Sequence, residues 1–106
     1  MSKRSKATDI PKSVRAEVER RHNGLCLWHN KKGIKKEGIG NVHYISKAHG
    51  GLGIKENVLC GCNDCHHEFD NGKNRESYQQ VADNYMKETY PEFTDEMRIY
   101  DKWRNE

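Results

Sequence analysis

All four cysteines and all six histidines of this 106-residue chain fall between His22 and His67. The cysteines are Cys26, Cys60, Cys62 and Cys65; the histidines are His22, His29, His43, His49, His66 and His67. Scattered residues would not crowd into the middle of a chain in this way. Only 33% of the residues are hydrophobic, another 33% are charged, and the mean hydropathy is −1.15. A domain this short and polar cannot bury a generous core, and such domains generally lean on a metal, disulfides or a partner. The apolar runs are far shorter than the ~20 residues that span a bilayer, so an integral membrane protein is excluded. The first residues, MSKRSKATDIPK, are basic without an apolar stretch and do not read as a secretory signal. An intracellular, cytoplasmic location is the expectation, and there cysteines point to metal ligation rather than to disulfides.

The spacing agrees. Cys26-Leu27-Trp28-His29 and Cys62-Asn63-Asp64-Cys65 are two ligand pairs with two residues between the ligands. Such a gap lets two side chains converge on one tetrahedral ion from a tight turn. Cys26, His29, Cys62 and Cys65 are therefore the favoured set for a structural Zn²⁺. Cys60 could stand in for His29, but three ligands from Cys60-Gly61-Cys62 and Cys65 would be cramped; the other reading of Cys60 is a small buried hydrophobe. A zinc ion can contribute folding free energy on the order of 10 kcal/mol or more.

Around this centre the pattern predicts a disordered basic segment over 1–8 and a single domain over 9–106. Within it the core spans about 24–72 and a C-terminal helical segment about 74–104. Ile10, Val14 and Val18 recur every four residues after Pro11 and before Asn23-Gly24, so a helix is expected over about 11–22. Residues 30–40 read as an exposed lysine-rich loop or wide hairpin. Short strands are expected over 42–45 and 57–59, with a glycine-rich loop between them. A knuckle running into a short helix is expected from Cys62 to Asp70. Tyr78, Val81, Ala82, Tyr85 and Met86 fit a helix over about 75–89, stopped by Pro91. Thr94 is a candidate cap for a last short helix carrying Met97, Tyr100 and Trp103.

Charge is unevenly spread. Residues 1–40 hold eleven Lys/Arg against four Asp/Glu, and residues 41–106 hold eight against twelve, so the halves carry +7 and −4. A basic front half suits a polyanion such as nucleic acid. Lys31, Lys32, Lys35 and Lys36, with Arg20 and Arg21, are the candidate DNA-binding residues; a merely solvated lysine run is the bland alternative.

The segment from His43 through Gly50-Gly51, Glu56-Asn57 and Cys62-Asn63-Asp64-Cys65-His66 resembles the zinc-containing HNH endonucleases, in particular their small phage-type members. Gly50 is seven residues after His43, Asn57 six after Gly51 and Cys62 five after Asn57, the usual gaps of that family. The resemblance covers about residues 24–72. It implies a small α+β fold: a ββα-metal, treble-clef-like core with a structural zinc knuckle, flanked by N- and C-terminal helices. It also implies a metal-dependent hydrolysis of DNA phosphodiester bonds. His43 would be the general base. Asn57 would brace the loop that carries the base or contact the metal, with the brace favoured. His66 would ligate a catalytic divalent cation (Mg²⁺, Mn²⁺, Ni²⁺ or Zn²⁺), and Asp70, four residues on and so on the same helix face, would be its second ligand. Partners implied are DNA and, through the phage-type members, terminase or other packaging proteins.

Two positions depart from the family's pattern. Val42 stands where many members carry a ligand Asp or His, which leaves the ion fewer protein ligands, and Ser46 replaces the commoner proline. His67 is expected to touch phosphate or solvent, His49 to be an exposed loop residue, and His22 is assigned no chemistry. The competing reading is a non-catalytic zinc-knuckle module that binds DNA or joins a packaging complex. A mere binder, however, has no need of His43, Asn57 and His66 together.

Overall fold

The two strands expected on either side of the glycine-rich loop pair with each other. A computed structural model describes residues 2–101. In it three helices come first: α1 (Lys3–Thr8), α2 (Lys12–Arg21) and α3 (Leu27–Lys31). Strand β1 (Ile39–His43) then pairs antiparallel with β2 (Val58–Gly61), with Val42 opposite Leu59, His43 opposite Val58 and an irregularity between Ile39 and Val42. Helix α4 (Asn63–Asn71) follows β2 directly, and α5 (Arg75–Thr89) is the long helix. Single 3-10 turns cover Lys47–His49, Lys55–Asn57 and Asp95–Arg98.

The thin core is divided by the hairpin. Successive side chains of a strand face opposite sides, and β2 obeys this. Val58 and Cys60 pack with Val18 of α2, and with Ile10 and Val14. Leu59 faces the other side with Val42, Cys26, Leu27, Trp28, Cys65, Phe69, Ala82 and Met86. Trp28 is the hub of that side: its ring lies 5.2 Å from Phe69 and 5.8 Å from Tyr78, and its indole N–H donates to the Tyr78 carbonyl at 2.9 Å. The chain is thus a small α+β protein whose two-stranded sheet is sandwiched between α2 and the group α3, α4 and α5.

Several expectations are corrected. Residues 3–8 form a helix rather than a disordered tail, because Ser2 caps it at Ser5 N–H and Thr8 is buried against the body of the protein. The start of the lysine-rich stretch is helical: α3 runs from Leu27 to Lys31 after the N-cap Cys26, with Leu27 and Trp28 drawn into the core. The strand pair is shifted by a few residues from the expected bounds. Thr94 does cap, accepting from Met97 N–H, but only one 3-10 turn follows and Met97 stays exposed. Trp103 lies outside the described residues. No helix among the described residues is long and apolar enough to cross a membrane.

Candidate metal centre and cleft

Cys26 and Cys62 occupy equivalent places, each the N-cap of a helix, α3 and α4. Their partners His29 and Cys65 sit one turn into those helices. The backbone therefore delivers two ligands from each helix start to one point. The four ligand atoms lie within 4.8 Å of one another. His29 Nδ1 is 3.4 Å from Cys26 Sγ, 3.6 Å from Cys62 Sγ and 3.2 Å from Cys65 Sγ. A tetrahedral zinc with Zn–S of about 2.3 Å and Zn–N of about 2.0 Å requires N···S edges of roughly 3.5 Å, so the set fits the ion. Electrostatics point the same way. Burial first, and then the neighbouring thiols, push Cys65 up to about 12, so three thiolates in this space call for a cation. Cys62 goes the other way: burial opposes its thiolate, but hydrogen bonds from Cys65 and the charge of Lys36 outweigh it.

Cys60 is not in the cluster. It faces Val18 and Val58 across the sheet, and burial pushes its thiol up to about 12. Of the two ligand sets open in the sequence, the one with His29 is assembled. Among the described residues it is the one group of three or more metal-ligating side chains that converges.

A second group of residues lines an open cleft of about 610 Å³ between the loop after β1 and helices α4 and α5. His43, at the end of β1, is half-buried there, with its Nε2 2.7 Å from the Thr8 carbonyl oxygen. Burial is the largest influence on its ring and lowers its pKa below the ordinary 6.5; the Thr8 carbonyl works against this shift. His66 and Asp70 face the same cleft, and His66 Nε2 lies 3.1 Å from Asp70 Oδ2, the i, i+4 pairing expected on a helix. Asn57 is fully buried beneath the loop: its Oδ1 accepts from Ile45 N–H at 2.9 Å, and its Nδ2 donates to Leu52 O at 2.9 Å and Ile45 O at 3.1 Å. These three bonds tie together both limbs of the loop. Gly51 is part of the same device, since a Cβ there would stand 1.7 Å from the Ile45 carbonyl oxygen.

Val42 is fully buried in the apolar cluster, so the position that is often a ligand in the resembled family is here a core position. His49 is exposed at the cleft rim, bonded to Ser46, and His67 is exposed outside the cleft lining. His22 stacks on Tyr85 at 4.7 Å. Of the candidate DNA-binding residues, Arg20, Lys31, Lys32, Lys35 and Lys36 are exposed; Lys36 is within 3.6 Å of Asp64. Arg21 differs from these: its half-buried guanidinium donates to Lys55 O, Val58 O and Tyr90 Oη. Sequence reading missed Lys47, Arg75 and Gln79, which also line the cleft. Nothing local marks them; only the packing of α5 on α4 brings Arg75 and Gln79 to this wall. Comparison with family models, curated proteins and solved structures yields no match for this chain.

Proposed function

We propose that the protein is a metal-dependent DNA endonuclease of the HNH type, with a ββα-metal core built from β1, β2 and α4. The observation that carries this reading is the meeting of His43 with His66 and Asp70 in one cleft, over a loop that Asn57 holds from beneath. Hydrolysis of a phosphodiester needs a base for the attacking water and positive charge at the phosphate. His43, kept largely neutral near pH 7 by its burial, takes the proton from water. His66 and Asp70, an imidazole and a carboxylate on one helix face, are a donor pair suited to a divalent cation that takes its remaining ligands from water and phosphate. When bound, that ion supplies the charge for the phosphate and the leaving oxygen. Arg75 adds a cation to the cleft wall and holds the phosphate backbone against it. A zinc held by Cys26, His29, Cys62 and Cys65 would be structural: it would fix the start of α4 and thereby the position of His66.

Supercoiled plasmid incubated with pure, zinc-loaded protein should be nicked or linearised with Mg²⁺, Mn²⁺ or Ni²⁺ and left intact with a chelator. His43→Ala should lower the rate by roughly 10²–10⁴ while leaving zinc content and DNA binding in place. Binding of DNA without cleavage under any of these ions would replace the enzyme with the zinc-knuckle binding module.

A further inference from the structure

We propose that the N-terminal segment, residues 3–10, is a positioning element of the cleft, and that the Thr8 carbonyl holds the His43 ring with Nε2 protonated and Nδ1 as its proton acceptor. This rests on the nuclease reading above and names what orients its base. A neutral imidazole carries one N–H, and a carbonyl oxygen only accepts. The 2.7 Å contact between His43 Nε2 and Thr8 O therefore puts the proton on Nε2. That leaves Nδ1 with the free lone pair. Thr8 O is available for this because the last carbonyls of a helix have no partner within it.

The segment is fastened to the very loop that follows His43. Arg4 Nη2 donates to Ala48 O at 3.2 Å, Gly53 N–H donates to Ala7 O at 3.0 Å, and Lys47 pairs with Asp9. Thr8 is almost wholly buried, and its hydroxyl lies 2.9 Å from Arg4 O and 3.2 Å from Ser5 O. The approach is close enough that a Cβ on Gly53 would stand 1.9 Å from Asp9 O and 2.5 Å from its carbonyl carbon. A six-residue helix does not persist alone in water. It stands because the loop holds it, and it holds the ring in turn. Asn57 braces the loop from within, and α1 fixes the ring from outside.

Two full-length variants test this. Gly53→Ala wedges the segment away from the loop. Arg4→Ala with Thr8→Val removes one fastening to the loop and the hydroxyl contacts that close α1 on itself, at two residues that do not line the cleft. The readouts are the ring tautomer of His43 by long-range ¹H–¹⁵N correlation on ¹⁵N-histidine protein, zinc content, and the kinetics of plasmid cleavage. The wild-type protein should show His43 locked with Nε2 protonated and slow to exchange. The variants should retain one zinc, lose that signature, and lose about tenfold or more in kcat, with KM moving less than about twofold. Should Gly53→Ala lose its zinc and its fold, the double variant decides. A wild-type His43 protonated at Nδ1, or a variant that frees the ring and keeps its kcat, would overturn the inference while the nuclease reading stood. A wild-type protein with the locked tautomer that cleaves nothing would sink the nuclease reading, and the role of the segment with it.

Discussion

His22 is the residue at which acid should first reach the fold. It stacks on Tyr85 beside the inward-turned Arg21, and burial, then the Arg21 charge, lower its pKa from 6.5 to about 4. Between those two values the unfolded chain binds a proton that the folded chain refuses, so stability falls as pH drops from 6.5 toward 4 and this loss is complete below it. The lowered value corresponds to roughly 2–3 kcal/mol, allowing for the ring's partial contact with solvent. His22→Phe keeps the stack and removes the titration. Denaturant midpoints at pH 7 and pH 4.5 should therefore lie closer together in the variant than in the wild type, and an equal separation would refute the assignment. The sequence placed His22 at the end of a helix and no more, because its partner Tyr85 is brought to it only by folding. Asn57 is the opposite case. Its motif position implied a brace, and it makes three hydrogen bonds to Ile45 and Leu52, on the two limbs of the loop after β1.

At the scale of elements, legibility follows the length and periodicity of the segment. Helix α5 lies over Arg75–Thr89, within the expected 75–89, because five apolar residues in register define its buried stripe and Pro91 forbids continuation. Helix α2 was legible for the same reason. Helices α1 and α3 are too short for periodicity to show; they exist through contacts with residues far along the chain, which local sequence does not encode. The zinc set was legible because ligand spacing is a local property, and the choice between His29 and Cys60 needed the strand alternation that turns Cys60 away. That distinction is testable. Cys65→Ser should abolish zinc binding and leave the protein unfolded or aggregated, since the ion joins the starts of α3 and α4. Cys60→Ala should still hold one zinc per chain by elemental analysis, with a loss of about 1 kcal/mol in stability for the small void. Zinc lost from Cys60→Ala and kept in His29→Ala would reverse the ligand set.

For the whole molecule, the uneven charge sets the expected mode of binding. Lys31, Lys32 and Lys35 are exposed and Lys36 is engaged with Asp64, and none of the four is among the residues lining the cleft. Under the proposed nuclease function, a DNA duplex that met both surfaces would be held by its backbone at the lysine loop and cut at the cleft. Changing all four lysines to Gln should weaken binding on unrelated sequences alike. It should also flatten the dependence of log K on log salt by roughly one unit for each lysine that meets a phosphate. Titrations at several salt concentrations check this, and an unchanged slope would make the loop a solubilising run.

The loop is fastened both by residues 4–9 and by residues 99–100, and this has a topological consequence. Gly50 lies between them: a Cβ on it would stand 3.6 Å from Tyr100 N and 3.7 Å from Arg4 Nη2. Tyr100 N–H donates to Gly50 O, and Ile99 bridges to Gly51. The described chain is in effect a ring closed on this loop through Arg4 and Tyr100, with the candidate ligands Cys26, His29, Cys62 and Cys65 on the path between. A ring has no obligatory start. A short linker from residue 101 back to residue 2, with new termini at the open turn around Gly33, should give a circular permutant that folds and takes up one zinc. Ends opened instead within residues 48–53 would cut the ring where everything is tied to it.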